Sequence, residues 1–148
     1  MGDNLALSPR EVIEENGYHI TKVTGVSMLP LLRQGKDTVL ICKGLPKKGE
    51  VALYEGEDGR VCVLHRVIKI KGEIFIFRGD NCIAKEFVPK EKILGVLERI
   101  WRNGKEIEVK SSFGYKSYSL FWKLTVFIRI PFKRVKNKVA GMIKKKSV

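Results

Sequence analysis

The sequence predicts a mainly β fold of short, mostly antiparallel strands, with a short N-terminal helix and a basic amphipathic C-terminal helix. Short apolar runs rich in β-branched and aromatic residues, separated by glycine turns, favour the strands. Apolar residues that recur at helical spacing among lysines favour the last helix. The chain has 148 residues, of which 44% are hydrophobic, so an ordinary core can form without metals or disulfides.

The first predicted element is a helix with a well-marked start. Ser8 stands at the N-cap, Pro9 at the first helical position, and Glu11 where it can close a capping box. An Asn-Gly pair then ends the segment. We therefore predict a helix over residues 9–16, followed by a strand over residues 18–24.

The other strands are predicted from short apolar runs bounded by turn residues. They cover residues 38–42, 51–54, 60–68, 74–77, 92–101 and 107–109. An Asn-Gly pair joins the last two runs and is a strong hairpin signal. The chain changes character after this hairpin. We therefore predict a β-rich domain over residues 1–110 and a hydrophobic, basic extension over residues 111–148.

The formal net charge of +13 is unevenly distributed. Residues 115–148 contain ten lysines and arginines and no acidic residue, which leaves a charge of +3 for the rest of the chain. Within the extension, residues 120–132 are hydrophobic. They are fewer than the ~20 residues that cross a bilayer, and Lys123 and Arg129 interrupt them. We do not expect this segment to span a membrane.

The last part of the extension is predicted to form the basic amphipathic helix. Its apolar residues share one face of the helix: Phe132, Val135, Val139, Met142 and Ile143. Such a helix can lie on an anionic membrane surface, or its apolar face can pack on the rest of the protein. Nucleic acid is a less favoured partner, because no binding motif accompanies the basic residues.

Targeting signals are not evident in the first 24 residues. No apolar signal region follows Met1, and residues 8–24 carry five charged side chains. We therefore expect neither a cleavable signal peptide nor a membrane anchor there. The expected location is cytoplasmic or peripherally membrane-associated.

The three cysteines do not indicate a metal or disulfide site. Cys42, Cys62 and Cys82 are odd in number and include no C-x-x-C pair. No metal or other cofactor is expected.

The chemistry-bearing stretch is residues 24–32, an apolar run in which Ser27 lies between a glycine and a proline. A serine hydroxyl becomes a good nucleophile only when a nearby base takes its proton, and a third group usually orients that base. The chain offers two histidines, His19 and His65, and a carboxylate, Asp80, in a Gly-Asp-Asn turn. Each pattern alone is more often structural, so their combination carries the argument.

That combination resembles a known enzyme family. Ser27-Met28-Leu29-Pro30, His65-Arg66-Val67 and Gly79-Asp80-Asn81 resemble, in this order, the motifs of the type I signal peptidase superfamily, which includes self-cleaving repressors. Most bacterial members have lysine at the base position. Because this chain has histidine there, it resembles the branch found in the endoplasmic reticulum, archaea and some spore-forming bacteria. The resemblance covers roughly residues 18–101, so residues 1–110 are interpreted as a peptidase-like catalytic domain.

The resemblance implies roles for four residues. Ser27 is the expected nucleophile, with its backbone N–H in the oxyanion hole, and His65 is the expected general base. Asp80 is a candidate for orienting His65. This branch often has a second acidic residue six positions later, where this chain has Glu86. Which carboxylate orients His65 is left open. No such motif accompanies His19, which we expect to be a surface or packing residue.

The resemblance also implies a substrate. Members of the family bind an extended peptide with small side chains near the scissile bond, and Met28 and Pro30 are expected to contact it. The predicted function is a serine endopeptidase. The alternative is a non-catalytic module of the same fold that binds a peptide or partner. A self-cleaving regulator is disfavoured, because the base position has no lysine and no N-terminal DNA-binding domain is evident.

Overall fold

A computed structural model describes residues 7–57, 59 and 61–146. The chain divides into two compact units, Met1–Ser112 and Phe113–Val148. Over its described residues the first unit holds a short helix and an eight-stranded sheet, and the second holds two helices. Every strand pair in the sheet is antiparallel, so the prediction of a mainly β fold with antiparallel strands is confirmed.

The elements are given in chain order. The first unit contains α1 Pro9–Asn16, β1 Tyr18–Lys22, β2 Asp37–Lys43, β3 Val51–Glu55, β4 Cys62–Lys71, β5 Ile74–Arg78, β6 Glu86–Pro89, a 3₁₀ turn Lys90–Lys92, β7 Ile93–Arg102 and β8 Lys105–Glu108. The second unit contains α2 Phe113–Leu124 and α3 Val126–Lys146.

Helix α1 forms as the sequence predicts. The Ser8 side chain accepts a hydrogen bond from the Glu11 amide, and the Glu11 carboxylate accepts one from the Ser8 amide at 2.7 Å. Gly17 ends the helix with φ of 80°, a left-handed conformation that glycine adopts without steric cost. Its amide donates to the Ile13 carbonyl, and the Ile13 side chain is buried against the sheet unit.

The strands lie in the order β1-β2-β7-β3-β4-β5-β6, and β8 pairs with β7. Strand β4 changes partners along its length. Residues 62–66 pair with β3, and pairing with β5 begins at Arg66. Among the described residues, β1 and the first half of β4 therefore each have a strand on one side only. These two edges matter because a peptide could hydrogen-bond to either.

One ion pair ties the loop after β1 to the last residue of β7. Arg102, the last residue of β7, donates from Nε to Asp37 Oδ1 at 2.7 Å and from Nη2 to the Leu31 carbonyl at 2.7 Å. The Arg33 amide also donates to Asp37 at 2.8 Å. Burial opposes ionisation of Asp37, but the hydrogen bonds from Arg102 and Arg33 outweigh it and lower the pKa of Asp37.

Strands β3 to β6 share an apolar core cluster. It consists of Ala52, Tyr54, Val67, Phe75, Phe77 and Val88, and the Tyr54 and Phe77 rings lie 4.4 Å apart between centroids. Aromatic pairs at this separation pack favourably. The cluster gives the neighbouring polar residues of β4 and β6 a rigid support.

The second unit confirms the predicted C-terminal helix and adds one that the sequence did not predict. Helix α3 begins at Val126, six residues before the first apolar residue assigned to it from sequence, and it continues through Pro131. Helix α2 precedes it, and the Arg129 guanidinium lies over the Trp122 ring, 2.9 Å from its centroid. No helix in the described part of the chain is long and apolar enough to cross a bilayer.

Candidate active site

Ser27 lies in a tight turn between β1 and β2. The Leu29 amide donates to the Val26 carbonyl at 3.2 Å, and the Leu32 amide donates to the Met28 carbonyl at 3.0 Å. The Ser27 side chain is half-buried. Within the described residues the Ser27 amide makes no intramolecular hydrogen bond, so its N–H is available to a ligand oxygen.

The loop after β5 holds this turn in place. The Asn81 amide donates to the Ser27 carbonyl at 2.7 Å, and the Asn81 side chain donates to the Val26 carbonyl at 3.0 Å. The Asp80 amide contacts the Met28 sulfur at 3.4 Å. Two of the three sequence motifs, 52–55 residues apart in sequence, therefore form one bonded structure.

His65 is 5% exposed and lies in the first half of β4. Its Nδ1 atom is 2.7 Å from the Glu86 Oε2 atom. An ionised carboxylate only accepts hydrogen bonds, so Nδ1 carries the proton in this pair when Glu86 is ionised. The neutral ring then has a free lone pair on Nε2, which is the atom a general base requires.

Sheet register explains why Glu86 reaches His65. Glu86 in β6 is opposite Phe77 in β5, which is opposite Val67 in β4. Cross-strand partners share a face of the sheet, and so do residues two apart in one strand. His65 is two residues from Val67, so the Glu86 and His65 side chains lie on the same face.

Tyr54 completes this group and was missed by the sequence analysis. Its hydroxyl donates to Glu86 Oε2 and lies 3.2 Å from His65 Nδ1. Burial, together with the hydrogen bond to Glu86, raises the pKa of Tyr54, so its hydroxyl stays protonated as a donor. The sequence carried no signal for this role, because Tyr54 ends an ordinary apolar strand.

Asp80, the other candidate for orienting His65, is hydrogen-bonded to Arg66. Arg66 donates to Asp80 through Nε at 2.8 Å and Nη2 at 2.7 Å, and it donates to the Gly49 carbonyl through Nη1 at 2.8 Å. Both side chains of the pair are almost fully buried. Of the two candidate carboxylates, Glu86 therefore contacts the His65 ring, whereas Asp80 joins the loop after β5 to β4.

His65 Nε2 is buried and has no hydrogen-bond partner among the described residues. Consequently the Ser27 hydroxyl is not hydrogen-bonded to it. Gly79 lies close to both the Ser27 turn and the His65 ring: a Cβ atom on Gly79 would lie 2.9 Å from His65 Nε2, 2.7 Å from the Ser27 carbonyl oxygen and 2.8 Å from Cys82 Sγ. A side chain at this position would collide with all three, so glycine allows the Ser27 turn to approach the histidine.

A cleft of about 320 Å³ opens beside Ser27. Its lining comes from β1, the Ser27 turn and the first half of β4, with β2 and β3 residues at its base. The lining residues include His19, Thr21, Ser27, Met28, Ile41, Leu53, Cys62 and Leu64. Of the two residues predicted to contact substrate, Met28 lines this cleft, whereas Pro30 is exposed and lies outside its lining.

Metal-binding clusters of three or more His, Cys, Asp or Glu side chains are not present in the described part of the chain.

Comparison with protein-family models gives no match, and comparison with curated protein sequences gives no significant match. The resemblance to the signal peptidase superfamily accordingly rests on the three short motifs.

Proposed function

We propose that the protein is a serine endopeptidase of the signal peptidase type. Ser27 is the nucleophile, His65 the general base and Glu86 the group that orients the base. The observation that carries this proposal is the Glu86–His65 contact at Nδ1, which leaves a buried Nε2 beside the Ser27 turn with no partner among the residues that the structure describes. A buried nitrogen without a partner is costly for stability, and general-base chemistry gives a reason for keeping it.

The proposed reaction has an acylation and a deacylation step. When peptide enters, the Ser27 hydroxyl turns to donate its proton to His65 Nε2 while its oxygen attacks the peptide carbonyl carbon. The Ser27 N–H stabilises the negative charge that develops on the carbonyl oxygen. Glu86 and the Tyr54 hydroxyl hold the imidazolium in place. The His65 proton then passes to the leaving amine, and water, activated by His65, hydrolyses the acyl-enzyme.

The cleft favours an extended peptide as substrate. Among the described strands, β1 and the first half of β4 each have a neighbour on one side only, and both line the cleft, so a peptide strand can hydrogen-bond to either edge. Alternate side chains of such a strand point into the cleft, where Met28, Ile41 and Leu53 form an apolar floor. The apolar lining favours a peptide with apolar side chains.

The test is cleavage of a library of unstructured peptides, read by mass spectrometry, with the full-length protein. Ser27→Ala and His65→Ala should each lower the rate by roughly 10⁴–10⁶-fold, because the two residues act as a unit. Ser117→Ala, an exposed serine in α2, is the matched control and should leave cleavage unchanged. Cleavage that survives Ser27→Ala contradicts the proposal.

A non-catalytic binding module is the second candidate, and one observation favours it. The Ser27 hydroxyl and His65 Nε2 are not hydrogen-bonded among the described residues. A binding module would hold peptides in the cleft without cutting them, and Ser27→Ala would leave their affinity unchanged. The peptidase instead predicts new peptide termini that disappear with Ser27→Ala. Catalytic hydrogen bonds often tighten only when substrate is bound. The geometry without peptide is therefore compatible with the peptidase as well.

A further inference from the structure

Helix α3 carries an exposed apolar stripe. Its members have exposed fractions of 73%, 73%, 62%, 44% and 56% and are, in order, Ile128, Phe132, Val135, Val139 and Met142. At ~100° per residue they fall within an arc of about 80° on the helix. Isolated exposed apolar residues are common on proteins, but a continuous row along four turns indicates a contact surface.

The charges around this apolar stripe are all positive. Lys136 and Lys138 flank it, about 80° to either side of its centre on the helical wheel. Lys133 and Arg134 lie further round, and no acidic residue follows Glu108 in the chain. Long lysine side chains can extend past an apolar surface and keep their charges in water. The helix therefore pairs an apolar row with a cationic border.

Helix α2 also has an exposed apolar row, with its two lysines on one side of it. Phe113, Leu120 and Leu124 have exposed fractions of 84%, 59% and 68% and lie within about 40° of one another on the wheel. Lys116 and Lys123 are its charged residues, and both are basic. Both helices of the second unit thus expose apolar rows among cations.

We propose that α3 binds the surface of an anionic lipid membrane, lying in its plane with the apolar stripe inserted among the acyl chains. Lys136 and Lys138 then reach the lipid phosphates on both sides of the stripe. An anionic membrane supplies, in one plane, an apolar phase for the stripe and negative charge for the lysines. This inference rests on α3 and is independent of the proposed peptidase activity.

A second copy of the chain is the competing occupant, and charge argues against it. The apolar stripe has the 4-3-4-3 spacing of a coiled-coil seam, but only about two heptads of it. Lys136 and Lys138 would occupy the flanking positions in both copies. With no acidic residue on α3, those positions bring like charges together and offer no salt bridge.

The experiment is co-sedimentation of the full-length protein with vesicles, either pure phosphatidylcholine or phosphatidylcholine containing 30% phosphatidylserine. We expect at least tenfold tighter binding to the anionic vesicles, weakened by high salt. Val135→Asp places a charge in the centre of the apolar stripe and should reduce that binding at least tenfold. Asn137→Asp adds the same charge to the same helix, on the face opposite the stripe.

The matched pair separates insertion from simple electrostatics, because both variants change the net charge by the same amount. Similar helix content by circular dichroism shows that both variants fold. Equal losses for Val135→Asp and Asn137→Asp would overturn the proposal, as would equal binding to the two vesicle types. A dimer in analytical ultracentrifugation that Val135→Asp dissociates would assign the stripe to a second copy instead. Vesicle binding that only Val135→Asp abolishes supports the membrane assignment.

Discussion

The polar contacts of the His65 ring are all at one nitrogen, Nδ1, among the described residues. Glu86 lies 2.7 Å from Nδ1, and Tyr54 donates to the same carboxylate oxygen. The opposite nitrogen remains unpartnered among the described residues. Asp80, which could have served as the orienting acid, is committed to Arg66 through two hydrogen bonds. The two carboxylates thus make different contacts, Glu86 with the His65 ring and Asp80 with Arg66 of β4.

Replacing Glu86 should affect the reaction more than the fold. Glu86→Gln removes the charge that stabilises the His65 imidazolium, and its amide can stabilise the wrong ring tautomer. We expect kcat for peptide cleavage to fall by roughly 10²–10⁴-fold with little change in thermal unfolding. Tyr54→Phe keeps the ring packing on Phe77 and should cost less than Glu86→Gln. Full activity of Glu86→Gln would show that this carboxylate does not orient the base.

Cys82 provides a chemical probe of the same site. Its sulfur and His65 Nε2 both lie within 2.9 Å of the point where a Gly79 Cβ would be. Alkylating Cys82 with iodoacetamide should fill this space and abolish cleavage, whereas Cys82→Ala should remain active after the same treatment. Burial raises the pKa of the Cys42 and Cys62 thiols, which slows their own alkylation. Complete modification of Cys82, proven by mass spectrometry, with an unchanged rate would contradict this prediction.

At the scale of elements, paired strand ends determine where the loops lie. Asp37 opens β2, Arg102 ends β7, and the two are directly opposite in the sheet. Their ion pair also holds the Leu31 carbonyl, just beyond the Ser27 turn. Arg66 and Asp80 make the corresponding link between β4 and the loop after β5. The two turns that meet at the site are each anchored by a buried aspartate and an arginine from a neighbouring strand.

The Asp37 link makes stability depend on pH in a defined direction. Its pKa is lower in the folded protein than the ~3.9 of an unfolded chain, so its contribution is present above that pH. The contribution is lost as the pH falls through the lower folded-state pKa. Asp37→Asn should reduce the free energy of unfolding at pH 7 by about 1–3 kcal/mol, and the difference from wild type should shrink at pH 3.

Urea unfolding at the two pH values measures this effect. Glu15→Gln, which changes an exposed carboxylate on α1, is the control and should alter stability by less than about 0.5 kcal/mol. An equal difference between Asp37→Asn and wild type at both pH values would show that ionised Asp37 is not the stabilising form.

At the scale of the whole molecule, the chain combines two units of different composition. The first has nearly balanced charge and buries its apolar residues in a sheet. The second carries ten of the positive charges without an acidic residue and exposes large apolar residues such as Phe113 and Phe132. The β unit thus contains the candidate site, while the helical unit exposes an apolar stripe among basic residues.

The sequence by itself determined the elements that depend on near neighbours. The capping box and Gly17 act over three or four residues, so the bounds of α1 could be predicted. Strand runs and the helical spacing of the C-terminal segment are equally local, although the neighbouring α2 was missed because its apolar residues were interpreted only by hydrophobicity. The order of the three motifs was also sufficient to group Ser27 and His65 as candidates for one site.

Only the tertiary structure decided which side chains meet. Asp80 and Glu86 are six residues apart, and nothing in their spacing tells which one faces His65. The β4–β5–β6 register places Glu86 on the histidine face, and the buried Arg66 takes Asp80. Tyr54 joins the site through the same cross-strand geometry. Local patterns specify elements because their interactions span a few residues, whereas a site depends on strand register, which is determined by packing between distant segments.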